Sequence, residues 1–134
     1  MILVDTSVWI DYINGRDTEQ VNYLDEQLKN PLAVGLTEHI YLEILQGAKD
    51  QKAFDQFQSY FSGQNFYSFS NALEGHASAA QIYFNCQKKG ITIRSSIDCL
   101  IAQCAIENEL ILLHNDKDFT QIAKIAKNLK LKTF

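Results

Sequence analysis

Three aspartates occupy positions where an α/β protein commonly carries its chemistry. Asp5 follows a three-residue apolar run, and Asp116 lies just past the apolar run 110–113. Asp98 stands near the start of the segment 97–106, which is apolar almost all the way round and therefore predicts a buried helix. Parallel sheets present functional groups at the carboxyl ends of their strands, beside the starts of helices. We therefore expect the three carboxylates to converge at one edge of a sheet.

The surroundings of Asp98 suggest a bound cation. Burying an ionised carboxylate is costly unless its pKa rises or a cation pairs with it. At 100° per residue, Ala102 and Ala105 fall on the same helix face as Asp98, and small side chains there would leave room for a hydrated ion. For the aspartate taken alone, a residue favoured by the dipole at a helix N-terminus is the alternative.

Glu43 is a fourth candidate ligand. It lies in the helix predicted after Thr37, on the shoulder of an apolar stripe and next to Gly47 on the helical wheel. A partly buried glutamate there would reach a site from a neighbouring helix. The wheel alone favours a solvated side chain.

Four converging carboxylates would repel one another, and a hard divalent cation would remove that conflict. Mg²⁺ or Mn²⁺ suits an all-oxygen site, whereas no histidine has a partner at the spacing of a zinc site. Such a site fits phosphodiester hydrolysis, in which the ion activates water and stabilises charge on the phosphate. The sequence contains no P-loop, no dinucleotide-binding glycine motif and no Ser–His or Cys–His arrangement that would indicate another mechanism.

Length and cysteine content define the class of protein further. With 134 residues, the chain is expected to form a single domain over 1–134. No signal peptide or membrane-spanning stretch is apparent, so no membrane association is expected. The three cysteines form no C-x-x-C pair and are interpreted as reduced core residues of a cytoplasmic protein.

Charge is distributed unevenly along the chain. The overall net charge of −4 argues against a generally basic nucleic-acid-binding protein. Residues 1–87 carry a net charge of −7, and residues 88–134 carry a net charge of +3. The C-terminal third could therefore offer a basic surface to a polyanion, with a solvated lysine face on the last helix as the alternative.

The pattern of apolar runs and amphipathic segments predicts strands that alternate with helices. Such an order is typical of an α/β layer fold with a mainly parallel central sheet flanked by helices. Predicted strands are 2–4, 32–36, 65–69, 110–113 and 131–134. Predicted helices are 8–12, 18–29, one after Thr37, 50–61, 71–88, 97–106 and 118–128.

Two helices carry more detailed predictions. Thr6 and Ser7 are expected to cap the first helix. The inward residues of the long helix 71–88 are expected to include Leu73, Ala80, Tyr83 and Phe84.

Four segments together resemble the PIN-domain ribonucleases, and within them the VapC-type toxins of bacterial toxin–antitoxin pairs. They are VDTSVWID at 4–11, EILQG at 43–47, TIRSSIDCLIA at 92–102 and LHNDKDF at 113–119. Each is short, but all four occur in order over nearly the whole chain. The resemblance implies a PIN-like fold, a metal-dependent endoribonuclease that acts as a toxin on RNA, a homodimer, and a cognate antitoxin whose C-terminal segment covers the active site, within a larger assembly.

The resemblance also implies roles for individual residues. Ser7 matches a small polar position beside the first acid, and Asp118 matches a frequent extra acid. His114 departs from the family, which often has Thr or Ser there. The acidic quartet that would bind Mg²⁺ or Mn²⁺ and carry catalysis is Asp5, Glu43, Asp98 and Asp116.

Arg94 and Thr92 are further candidates, because both lie shortly before Asp98. An arginine there could hold a substrate phosphate, or could equally make a structural salt bridge.

Two alternative functions stay open at this stage. A haloacid-dehalogenase-like phosphatase also carries an aspartate after its first strand, but it needs a second aspartate where this chain has Ser7. A catalytically silent PIN-like domain that only binds a partner protein is the other, and the presence of all four acids argues against it.

Overall fold

Five short parallel strands form the central sheet of the computed structural model, which describes residues 1–134. The strands are β1 (Ile2–Val4), β2 (Val34–Leu36), β3 (Asn65–Phe66), β4 (Ile111–Leu113) and β5 (Lys130–Leu131). Their order across the sheet is β3-β2-β1-β4-β5, so β1 is central and pairs with both β2 and β4. Parallel neighbours need crossover connections, and helices supply most of them.

Seven α-helices surround the sheet, and each begins where a polar side chain accepts a backbone N–H of its first turn. The seven caps are Asp5, Thr18, Thr37, Asp50, Asn71, Ser95 and Asp116. The helices are α1 (Thr6–Ile13), α2 (Glu19–Gln27), α3 (Glu38–Gln46), α4 (Gln51–Phe61), α5 (Ala72–Lys88), α6 (Ser96–Glu107) and α7 (Lys117–Ile125). A single 3₁₀ turn, Pro31–Ala33, leads into β2. None of these helices has both the length and the apolar character needed to cross a bilayer.

One continuous core lies between the sheet and its helices. β1, β2 and most of β4 are buried, and the largest fully buried side chains are Trp9, Phe61 and Phe119. The Trp9 and Phe61 rings meet edge to face at 5.0 Å and join α1 to the end of α4. The predicted α/β class with a mainly parallel sheet is confirmed.

The packing face predicted for α5 is wrong. Leu73 is 83% exposed and Phe84 is 55% exposed, and Ala80 also faces solvent, whereas Tyr83 packs partly against the core. The buried positions are the smaller residues Gly75, Ala79, Ile82 and Cys86. Small side chains let the helix approach its neighbours closely, so the larger apolar residues that define the stripe in the sequence lie outside.

Four of the five predicted strands are shorter in the structure. β2 begins at Val34, after the 3₁₀ turn, and β4 begins at Ile111, whereas β3 and β5 keep only two residues each. β3 ends at Phe66, and beyond it only the Tyr67 N–H, which donates to the Leu36 carbonyl at 2.9 Å, continues the ladder. The final strand is limited to Lys130–Leu131. Aromatic and apolar runs predicted extended chain here, but extended residues without a partner strand do not form sheet.

Candidate active site

Asp5 connects the central strand to the site. It follows β1 and caps α1, so the predicted capping role of Thr6 and Ser7 is wrong. Its Oδ2 accepts the Ser7 backbone N–H at 3.2 Å and the Ser7 hydroxyl at 2.8 Å. Ser7 Oγ in turn accepts the backbone N–H of Asn115 at 3.1 Å, which ties the loop after β4 to the start of α1.

Asp116 and Asp118 lie on the neighbouring strand–helix junction. Asp116 follows β4 and caps α7 by accepting the Asp118 N–H at 3.0 Å. Asp118 itself is 4% exposed. The Asp116 N–H donates to His114 Nδ1 at 3.2 Å, so this ring nitrogen is unprotonated, and burial lowers the pKa of His114. His114 therefore supports the loop that carries Asp116, at a position where the family often has a hydroxyl.

Glu43 reaches the site from α3, which packs against α1. Its side chain is half-buried, and Oε1 accepts the Thr6 hydroxyl at 2.7 Å. Glu43 thus faces the first turn of α1 rather than bulk solvent alone. Sequence reasoning missed this role of Thr6, although its position directly after Asp5 was a usable signal.

Asp98 is the one acid of the group to which no protein donor is bonded. Burial, followed by repulsion from Asp5, Asp116 and the two remaining acids, raises the pKa of Asp98 to about 7. Burial also raises the pKa of Asp5 to about 6, opposed by its hydrogen bonds to Ser7 and reinforced by Glu43. The favourable dipole at the start of α6 does not outweigh these effects. Asp98 is therefore within electrostatic reach of the other four carboxylates.

The space expected beside Asp98 is not formed by the alanines of α6. Ala102 and Ala105 are fully buried in the hydrophobic core, because α5, α3 and α7 pack closely against α6. Only the first turn of α6, which carries Asp98, faces the other acids. This part of the sequence interpretation is wrong, although the convergence of the acids is as expected.

Arg94 is the basic residue that contacts the acidic group. Its Nε donates to Asp118 Oδ2 at 3.0 Å, and its Nη2 donates to Asp116 Oδ1 at 2.8 Å. The structure thus shows the salt bridge that the sequence left as one of two alternatives. Thr92 is exposed in a shallow depression beside Tyr83 and Gln87 and makes no hydrogen bond to the acids.

The donor set matches a hard divalent cation. Carboxylate oxygens of Asp98, Asp116 and Asp118 lie within 4.8 Å of one another. Asp118 is the third member of this closest trio, and Asp5 and Glu43 lie near enough to Asp98 to repel its charge. One guanidinium cannot neutralise five carboxylates, and the Asp98 carboxylate has no donor, so the cluster can hold an ion with oxygen ligands.

The fold and the site together define an all-parallel α/β protein with an acidic, cation-type site at the carboxyl edge of β1 and β4. A sequence model of the PIN domain matches residues 2–125. The chain therefore belongs to the PIN-domain family, which removes the phosphatase alternative.

Relatives with assigned names extend this result over the whole chain. Over 135 aligned residues, the chain is 34% identical to the VapC ribonuclease Mb1587 of Mycobacterium bovis, with 100% of this chain and 99% of the relative covered. It shares the same identity and coverage with ribonuclease VapC11 of Mycobacterium tuberculosis.

Solved structures with the same fold include three from different organisms. VapBC2 of Rickettsia felis bound to a promoter DNA fragment has a TM-score of 0.74 at 24% identity, covering 100% of this chain and 99% of that one. FitAcB of Neisseria gonorrhoeae has 0.72 at 20%, covering 99% and 97%. DNA-bound VapBC of Salmonella typhimurium has 0.72 at 16%, covering 98% of each chain. At these identities the likeness establishes the fold alone.

Proposed function

We propose that this protein is a metal-dependent endoribonuclease that acts as the toxin of a toxin–antitoxin pair. The observation that carries the proposal is the group of five acids with a single cationic partner at one edge of the sheet. Full-length similarity to proteins named VapC ribonucleases supports RNA as the substrate.

The proposed role of each acid follows from its position in the site. Asp98, Asp116 and Asp5 would hold one Mg²⁺ or Mn²⁺ ion, and Glu43 would complete the pocket, with Asp118 as a further ligand or as the anchor of Arg94. When bound, the ion supplies Lewis-acid chemistry that lowers the pKa of water and offsets charge on the phosphate. A carboxylate that does not bind the ion orients the attacking water and accepts its proton. The water oxygen then bonds to phosphorus in line with the P–O bond that breaks.

Smaller groups in the site hold these acids in place. Ser7 fixes the rotamer of Asp5, and the Thr6 hydroxyl fixes Glu43. Arg94, which is 65% exposed, is held by Asp116 and Asp118 and could extend toward a substrate phosphate. An Arg94→Ala variant that cleaves RNA and arrests growth as the wild type does would remove this substrate role.

The proposed protein partners are inferred from apolar side chains on the surface. Large apolar side chains are exposed on α3, β3 and α5, at Leu42, Phe66, Leu73 and Phe84. Leu42 and Phe66 line one shallow depression together with Tyr41 and Leu45, and contiguous apolar surface of this kind commonly marks a protein interface. These exposed side chains support a homodimer and a cognate antitoxin that covers the active site, and the three cysteines, all free and buried, are consistent with the cytoplasm.

The test is inducible expression in a bacterial host, comparing the wild type with Asp98→Asn. We expect the wild type to stop growth and to produce discrete RNA fragments, and the variant to do neither while accumulating as soluble protein. Identical growth and intact RNA with both proteins, together with no Mn²⁺ binding by the purified wild type, would contradict the nuclease and favour a silent partner-binding domain.

A further inference from the structure

We propose that a groove between the C-terminal ends of α5 and α7 binds the phosphate backbone of the RNA substrate, at a site separate from the acids. The inference rests on the proposed ribonuclease function. The groove has a volume of about 530 Å³. Its lining consists of four lysines, one amide and one apolar residue: Lys88, Lys89, Lys124, Lys127, Asn85 and Ile125. We refer to it as the lysine groove.

The charge of the lysine groove is uncompensated. No carboxylate lines it, and none of its four lysines forms a salt bridge. Lys124 contacts the neutral Gln121, and Lys88 lies over the Phe84 ring. Four of the 12 basic residues thus line one groove, although the protein as a whole is acidic. Like charges at such close quarters are stabilised by a polyanion, which releases its own counterions on binding.

Helix dipoles do not account for this arrangement. A lysine in the last turn is favoured by the negative end of its helix, and this explains Lys88 and Lys124 one at a time. The dipole effect does not explain why the ends of two different helices lie together. It also does not explain Lys127, which lies beyond the end of α7. The convergence depends on the packing of α5 against α7.

The lysine groove is close enough to the acids to contact the same RNA strand. Lys124 is six residues after Asp118 on α7, which is about 9 Å along the helix axis. Lys89 is five residues before Arg94, so the chain between them spans at most about 18 Å. The depression that contains Thr92 and Gln87 is lined by the segment that joins Lys89 to Arg94. A strand with its scissile phosphate at the acids would therefore bring flanking phosphates to the lysines.

The chemistry of the groove favours RNA over a protein partner. Protein interfaces draw most of their energy from apolar and aromatic anchors in pockets, and Ile125 is the one apolar residue of the lining. Phosphates need positive charge and hydrogen-bond donors, which the lysines and Asn85 supply. Contacts of this kind add affinity for any sequence and leave sequence choice to other surfaces.

The test measures RNA binding in the Asp98→Asn background, so that cleavage does not interfere. The groove variant is Lys88→Gln/Lys124→Gln, with one change on each helix. The matched control is Lys49→Gln/Lys52→Gln, which changes net charge equally but lies outside the groove. Fluorescence anisotropy with a labelled 20-nucleotide single-stranded RNA is recorded over a series of KCl concentrations.

Loss of two phosphate contacts should reduce the slope of log K against log [KCl] by about 1.4 and weaken binding at 0.1 M KCl about 20-fold. The control should keep the slope of its parent, and thermal melting should be the same for all proteins. An unchanged slope in the groove variant would overturn the proposal, as would tighter binding of a poly-glutamate peptide than of RNA at the same lysines. RNA cleavage by the wild type, followed separately, reports on the nuclease, so either proposal can fail alone.

Discussion

Asp98 is the least stabilised acid of the site, because it is partly buried among four other carboxylates and receives no hydrogen bond. Its neighbours differ in this respect. Asp5 is held by Ser7, Glu43 by Thr6, and Asp116 by Arg94. A bound cation should therefore stabilise Asp98 more than the other acids. Without a cation, the charged form of Asp98 should lower the stability of the folded protein the most. Asp98 and Arg94, the one cation that contacts the group, are therefore the residues whose replacement should change metal binding and stability the most.

Asp98→Asn should abolish RNA cleavage and stabilise the metal-free protein. At pH 7.5 in EDTA the amide removes one repelling charge, and we expect a gain of about 1–2 kcal/mol in the free energy of unfolding. With saturating Mn²⁺ the order should reverse, since the variant lacks a ligand. Urea unfolding with and without Mn²⁺ measures both. Asp25→Asn, the same change at an exposed site on α2, should have little effect, and a variant less stable than wild type in EDTA would contradict the prediction.

Arg94→Gln should tighten Mn²⁺ binding several-fold while slightly destabilising the metal-free protein. The guanidinium competes with an ion for Asp116 and Asp118, and its loss leaves the buried Asp118 without a cation. The loss of stability should be small, because Arg94 itself is largely exposed and solvent screens its ion pairs.

Calorimetric titration with Mn²⁺ and thermal melting in EDTA test this prediction. Lys117→Gln is the control, because it removes an adjacent exposed charge that forms no salt bridge. Weaker Mn²⁺ binding by Arg94→Gln than by Lys117→Gln would show that the arginine does not compete with the ion.

At the scale of elements, α5 packs closely against its neighbours because its buried face carries few large side chains. That face is built mainly from small residues, and a Cβ added at Gly75 would overlap the Phe69 ring. That ring comes from the segment between β3 and α5. The glycine therefore allows the segment before α5 to pass in contact with the backbone of the helix.

Gly75→Ala should destabilise the protein by about 1–2 kcal/mol, measured by urea unfolding. Alanine gains up to about 1 kcal/mol of helix propensity, but the overpacked Phe69 contact costs more. Adding Phe69→Leu to the variant should recover part of the loss. Gly47→Ala, at the end of α3, is the control, because its Cβ would meet nothing closer than 3.5 Å. A Gly75→Ala variant as stable as Gly47→Ala would mean that the ring moves freely.

At the scale of the whole molecule, the sheet brings the ends of β1 and β4 and the first turns of three helices to one edge. Asp5 and Asp116 cap α1 and α7, Asp98 lies in the first turn of α6, and Glu43 arrives from α3. Folding therefore brings mutually repelling carboxylates together at this edge of the sheet. The global stability of the metal-free protein should report this cost as a function of pH.

The metal-free protein should lose stability as pH rises from about 5 to 7.5. The pKa values of Asp5 and Asp98 are raised to about 6 and about 7 in the folded state, so the native protein binds more protons than the unfolded chain in this window. Stability then falls with rising pH, by about 2–4 kcal/mol in total. Thermal melting in EDTA across this range measures the trend, and Asp98→Asn should flatten its upper part. Stability that increases toward pH 7.5 would contradict the raised pKa values.

Local sequence was sufficient for most of the fold. Apolar runs identified β1 and β4, and helical periodicity found all seven helices within a few residues at each end. The same local reasoning failed at α5, where Leu73 and Phe84 indicated the wrong face. A hydrophobic stripe identifies the buried side of a helix only when large residues do the packing, and Gly75 and Ala79 carry too weak a signal for that.

The sequence by itself determined that acids follow the central strands and open the buried helix, because a strand end and a helix start are encoded within a few neighbouring residues. Tertiary structure decided the rest. It paired Arg94 with Asp116 and Asp118, joined Thr6 to Glu43 across 37 positions, and brought the lysines of α5 and α7 into one groove. These contacts join residues far apart in the chain, and only the packing of whole helices against the sheet determines which of them meet.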